Sequence, residues 1–211
     1  MQWNIVGPGF GWLSAGVTLL FGATGWAVGG GWLAGIGTVA ALAGFVFARR
    51  SAVAWMALAL AAAAYAGASV ADGGPVGTLT GAALLGGVTG EMLLGHWYLI
   101  DPTLPRWALK RLAAIGGAGM VADAAVVAVA AGWDDAVIGW AFAVLAVTTI
   151  VLLVAVWFAL NEPSYPGVMA ATGLSYLAIL TAIGAAVAGR SLIDEGAGLL
   201  VGMTVGMIVP L

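Results

Sequence analysis

Residues 91 to 111, EMLLGHWYLIDPTLPRWALKR, hold Glu91, the chain's only histidine at His96, and three of its six basic residues. A second acid inside an apolar run, Asp123, follows shortly after. A charged side chain in a bilayer is costly unless it is neutralised, paired or turned to protein or water, so such residues mark proton or ion paths by default. At about 100° per residue, Glu91 shares a helix face with Gly87, Gly95 and Tyr98. Asp123 shares one with Gly116, Gly119, Val127 and Ala130. Small-residue faces in membranes are usually the faces set against other helices. With a rise of roughly 1.5 Å per residue, the two acids are expected within about 10 Å of each other in depth, where their carboxyls could meet. The chemistry expected is proton or cation handling, along a path of Glu91, Asp123, Tyr98 and His96. The plainer alternative is a protonated carboxyl at each position, hydrogen-bonded to a backbone carbonyl, a serine or a threonine.

His96 lies about 140° around the helix from Glu91, on a face with Thr89 and Met92. A single histidine cannot ligate a haem from both sides, so His96 and Met92 are read as the edge of a quinone or haem site shared with a partner subunit. No metal site is expected. The Glu91 to His96 spacing lacks the i, i+3 or i, i+4 geometry of paired ligands on a helix. Met92/His96 and Met203/Met207 do have it and would suit Cu(I). Methionine in a membrane helix is nevertheless mostly core filler.

Asp101-Pro102-Thr103-Leu104-Pro105 ends one helix, and Arg106, Trp107, Lys110 and Arg111 open the next as a basic, aromatic edge. Such an edge anchors a helix and sets topology, and it could dock a partner or an anionic lipid headgroup. Asn161-Glu162-Pro163-Ser164-Tyr165-Pro166 is a similar turn expected on the same side, so the two could form one surface.

These residues stand in a chain that is 63% hydrophobic and 7% charged, with a mean hydropathy of +1.12. Soluble domains carry roughly a quarter charged residues. Apolar blocks of about 20 residues match the length that crosses a bilayer core as helix, and the alternation of a β-barrel is absent. The fold expected is all-α, a single polytopic membrane bundle over 1–211. It has about eight spans, near 8–28, 30–48, 52–71, 76–99, 108–131, 136–160, 165–188 and 196–211. The N-terminal residues lack a positive n-region, so no cleaved signal peptide is expected.

Arg49 and Arg50 follow the second span, and Arg106, Lys110 and Arg111 follow the fourth. The positive-inside rule places both clusters, and both termini, in the cytoplasm. Asp72, Asp134, Asp135, Arg190, Asp194 and Glu195 fall in the opposite loops. Trp32, Trp133 and Trp140 then mark the outer interface, and Trp12, Trp55, Trp97, Trp107 and Trp157 the inner one. A prokaryotic-type inner membrane is expected.

Gly29-Gly30-Gly31 reads as a tight turn. Gly25/Gly29, Gly31/Gly35, Gly86/Gly90 and Gly202/Gly206 have the GxxxG spacing of close helix packing. At an offset of 115, Leu84, Leu85, Gly87, Thr89 and Met92 match Leu199, Leu200, Gly202, Thr204 and Met207, a hint of a four-plus-four duplication near 1–100 and 101–211.

Several functions are excluded or unsupported. The chain has no cysteine, so it forms no disulfide, thiolate metal site, iron–sulfur ligation or covalent haem link. No basic field suits nucleic acid. The only lysine, Lys110, starts a helix, where it cannot serve retinal. There is no G-x-S-x-G, H-E-x-x-H or phosphate-binding glycine loop. What is expected is a non-catalytic integral subunit of a larger energy-converting complex of the respiratory or electron-transfer type. It would sit among lipids and other membrane subunits and contribute a proton path or the edge of a quinone or haem site. The alternative is a self-contained proton- or cation-coupled transporter or channel with Glu91 and Asp123 as the coupling site.

Overall fold

The computed structural model describes residues 7–29, 31–49, 51–71, 74–101 and 104–208, with the backbone alone at 8, 51 and 195–208. Arg50, Asp72, Pro102 and Thr103 lie outside the described residues, as do the side chains of Glu195, Met203 and Met207. Among the described residues every regular element is a helix. They are α1 (Pro8–Ala27), α2 (Gly31–Val46), α3 (Ser51–Ala71), α4 (Pro75–Tyr98), α5 (Arg106–Ala130), α6 (Ala136–Ala159) and α7 (Tyr165–Ile208). Four stretches, Ala52–Ala71, Arg106–Ala130, Ala136–Ala159 and Tyr165–Asp194, are long and apolar enough to cross a membrane. Large apolar side chains stay on the outside, Val129 at 90% and Val137 at 79% exposure among them. That is costly in water and natural in lipid.

Local sequence sets most helix ends. Pro8 begins α1, Pro75 begins α4, and Pro166 sits in the first turn of α7, where a missing N–H costs nothing. Asp135 caps α6, its Oδ1 accepting from the N–H groups of Val137 (2.8 Å) and Ile138 (3.1 Å). Gly29 and Gly31 adopt φ of +117° and +63° between α1 and α2, the left-handed backbone expected of that turn.

The turn expected between residues 188 and 196 does not form. α7 runs unbroken for 44 residues, so the seventh and eighth expected spans belong to one helix. Arg190, Ser191, Asp194 and Glu195 interrupt the apolar pattern without interrupting the backbone, because none of these residues breaks a helix. At about 1.5 Å per residue α7 is about 66 Å long, roughly twice a hydrocarbon core.

The chain divides into two compact units, Met1–Leu79 with Ile100–Pro105, and Thr80–Leu99 with Arg106–Leu211. In the first unit Ala40, Ala41 and Ala61 form a small core with Leu19 and Tyr65. The Tyr65 ring fills the space a Cβ would need at Gly22 and Gly37, and its hydroxyl meets Thr38 Oγ1 at 3.3 Å. Arg49 stacks over Trp12 at 5.0 Å.

In the second unit α4 and α5 run antiparallel with their backbones nearly touching. A Cβ on Gly87 would strike the backbone of Gly116, and one on Gly119 would strike that of Leu84. On its other flank α4 meets α7, with Gly95 opposite Thr172, and α7 meets α6 at Gly184 and Gly189, opposite Leu145 and Phe142. Thr149 donates to Thr181 Oγ1 between α6 and α7 at 2.8 Å. Close packing therefore falls on the glycines sharing faces with Glu91 and Asp123. Of the described GxxxG positions, Gly35 and Gly90 pack closely, against Trp26 and Leu112, while Gly25, Gly29, Gly31 and Gly86 have nothing within 4 Å of a would-be Cβ.

Candidate functional site

Every candidate residue lies in the second unit, on α4, α5 and α7. Asp123 is fully buried. Its Oδ1 accepts from Thr80 Oγ1 of α4 at 2.7 Å and from Arg190 Nη2 of α7 at 2.6 Å. One carboxylate thus ties three helices. The arginine reaches it across Gly81, where a Cβ would come within 2.9 Å of Nη2. The pair supplies its own neutralisation, the condition under which a buried acid is tolerated. Asp123 Oδ2 is buried with no hydrogen-bond partner among the described residues.

Arg190 was expected in an outer loop and not as a ligand of Asp123. The signal available was that it is the one basic residue standing apart from both basic clusters.

Glu91 is also fully buried, and among the described residues only the Ser175 hydroxyl is placed to bond its carboxyl. It lies on the buried face of α4 with Gly87, Leu94, Gly95 and Tyr98. Across from it on α7 stands Ser175, whose hydroxyl donates to its own helix at Ala171 O (2.8 Å). Among the described residues Glu91 has no ion-pair partner.

The two carboxyls do not share a site. Thr80 and Gly81 are the α4 residues beside Asp123, and Glu91 lies some ten residues further along, about 16 Å by helical rise. The expected convergence fails on register. The contact of Gly87 with Gly116 and of Gly90 with Leu112 sets Glu91 near the level of Leu112, three turns from Asp123.

His96 is exposed and off the Glu91 face. Its Nδ1 lies 2.9 Å from the hydroxyl of Tyr176, the two rings edge to face. Tyr98 is buried on the Glu91 side, and Met92 is half-buried. Among the described residues no three His, Cys, Asp or Glu side chains cluster as a metal site would need. His96 uses Nδ1 toward Tyr176.

The basic edge is largely consumed within the fold. Arg106 donates through Nη1 to Glu162 O and through Nη2 to Pro163 O (2.7 Å) and Ser164 O (3.1 Å). Lys110 Nζ donates to Asn161 Oδ1 at 2.6 Å and lies over the Trp157 ring. The start of α5 meets the turn between α6 and α7, where two cations satisfy the carbonyls and amide. Arg111, stacked on exposed Trp107 at 5.4 Å, faces outward.

Comparison with known protein families, with curated proteins and with solved structures finds no match. Fold and site define the class on their own terms. Among the described residues the protein is all-helical, with helices long and apolar enough to cross a membrane, and of its two fully buried acids one is paired with a cation and one is not.

Proposed function

We propose that the chain is an integral, non-catalytic subunit of a larger energy-converting membrane complex, with Glu91 as the group that carries protons through it. The observation behind this reading is Glu91 itself, wholly buried beside the Ser175 hydroxyl and with no ion-pair partner among the described residues. Such a carboxyl must trade its charge for a proton or an ion, and the helix faces around it are built of glycine and serine. Tyr98 and the His96–Tyr176 pair lie toward the C-terminal end of α4, and they continue the path there. His96 and Met92 are the residues we assign to the border of a quinone or haem held with a partner subunit.

α1 to α6 and the Tyr165–Asp194 part of α7 serve as the crossings, in a prokaryotic-type inner membrane. Arg106, Lys110 and Arg111 lie on the cytoplasmic side, as the positive-inside rule directs. A reporter placed at 101–106 is expected to read cytoplasmic, and a periplasmic signal reverses the orientation.

The second reading, a self-contained proton- or cation-coupled transporter, needs Glu91 and Asp123 as a joint coupling site. Asp123 already has Arg190 and stands about three turns away, which favours the subunit reading. Mild-detergent extraction from the native membrane, with native-gel sizing and mass spectrometry, separates the two. Stoichiometric co-migration of other membrane subunits is the expected result. A chain that runs alone or as a homo-oligomer transfers the proposal to transport.

A further inference from the structure

At the end of the second unit opposite the basic edge, α6 begins beside a cleft of about 340 Å³. Its walls include the indoles of Trp133 and Trp140, with Asp135 between them in sequence and Gly139 at its base. Both indoles are open to the surroundings, Trp140 at 73% exposure. The Trp133 ring lies over Gly139, where a Cβ would sit 3.4 Å from it. Asp135 caps α6 through Oδ1 alone, so Oδ2 is available to a ligand.

The charge at this end has one sign. Gly132 N–H donates to Leu192 O at 3.0 Å, which brings the α5–α6 connection, with Asp134 and Asp135, beside the stretch of α7 that carries Asp194. The nearest basic residue, Arg190, is engaged with Asp123. The second unit's other cations, Arg106, Lys110 and Arg111, open α5 at the far end. An anion is repelled here. A bare metal ion would gain little from two indole walls, since it prefers several oxygens. An alkylated ammonium group uses everything present. Its charge meets Asp135, its methyl or methylene shell meets the indole faces, and indole is the strongest of the aromatic partners for such a cation.

We propose that this cleft binds an alkylammonium cation, the chemistry shared by choline-like solutes and by the headgroups of amine-bearing phospholipids. The proposal does not rest on the proton-carrying role of Glu91.

The test uses the full chain in nanodiscs of phosphatidylglycerol alone. Choline chloride is titrated by calorimetry against sodium chloride of equal ionic strength. Saturable binding of choline and not of sodium is expected. Trp140→Leu should weaken it about two- to fivefold, the loss expected of one cation–π contact on an exposed ring. Asp135→Asn should weaken it as well while still capping α6, and unchanged helicity verifies that both variants fold.

A second arm reconstitutes the protein in an equimolar mixture of phosphatidylglycerol and phosphatidylethanolamine and identifies retained lipid by native mass spectrometry. Selective retention of phosphatidylethanolamine, lost in Trp140→Leu, assigns the cleft to a lipid headgroup. Choline binding without lipid retention assigns it to a soluble cation. If neither cation is held, or if binding survives Trp140→Leu unchanged, the cleft is an acidic surface only and the proposal is overturned.

Discussion

Asp123 and Glu91 are equally hidden, yet they meet opposite fates in the fold. Each stands on a face of small residues at a helix contact, and each is fully buried. Asp123 gathers a hydroxyl from α4 and a guanidinium from α7, while Glu91 has the Ser175 hydroxyl nearby and, among the described residues, no cation. Burial alone therefore does not separate an acid that builds the protein from one that works in it. The partner does. A compensated acid fixes the relative positions of three helices, and, in the function proposed above, an uncompensated one keeps its proton chemistry available.

The strongest way to break this comparison is to take the partner from Asp123. Arg190→Ala leaves a buried, unpaired carboxylate and is expected to cost about 3–5 kcal/mol of stability, measured by denaturant or thermal unfolding in detergent. The double variant Asp123→Ala with Arg190→Ala should recover much of that loss, because neither charge is then stranded. If the single variant is as stable as the parent, the pair is ornamental and the distinction between the acids falls.

Next in size is the packing that sets their separation. Gly119→Val pushes a branched side chain into the Leu84 backbone, and overpacking of this kind costs about 1–3 kcal/mol. Gly86→Val, one residue from the contacting Gly87, faces open space and should change stability by less than about 0.5 kcal/mol. Equal effects at the two positions would mean that α4 and α5 do not pack in this register.

That pair of glycines also shows what the sequence could and could not disclose. The faces of Glu91 and Asp123 were legible because helical period alone fixes them, and the Gly29–Gly31 turn and the Pro8, Pro75 and Pro166 starts were legible as local chemistry. The GxxxG spacing paired Gly86 with Gly90, and only Gly90 meets a neighbour, because spacing ignores which way a face points and one residue turns a helix by about 100°. The Asp123–Arg190 pair was hidden by a different failure. It spans 67 residues, and Arg190 sits among residues that read as a loop while α7 passes through them unbroken. Register between helices, which keeps the two acids apart, is a property of packing that no single helix records.

Removing the lesser donor to Asp123 sharpens the comparison more gently. Thr80→Val keeps shape and deletes one hydrogen bond, for an expected loss of about 1 kcal/mol, with the arginine pair retained. A loss matching that of Arg190→Ala would make Thr80 the true anchor.

The smallest expected change in stability is at Glu91, and it is the one that decides function. Glu91→Gln preserves size and burial and has no ion pair to break, so unfolding should move by less than about 1 kcal/mol. Proton flux across vesicles holding the native complex should nevertheless fall to background, because an amide cannot take up and release a proton. Asp123→Asn reverses both results: the fold weakens, and the flux per folded molecule remains. Were Glu91→Gln to leave flux intact, Glu91 would be a second structural carboxyl with its partner still to be found. The contrast between the two acids would then be one of packing rather than of purpose.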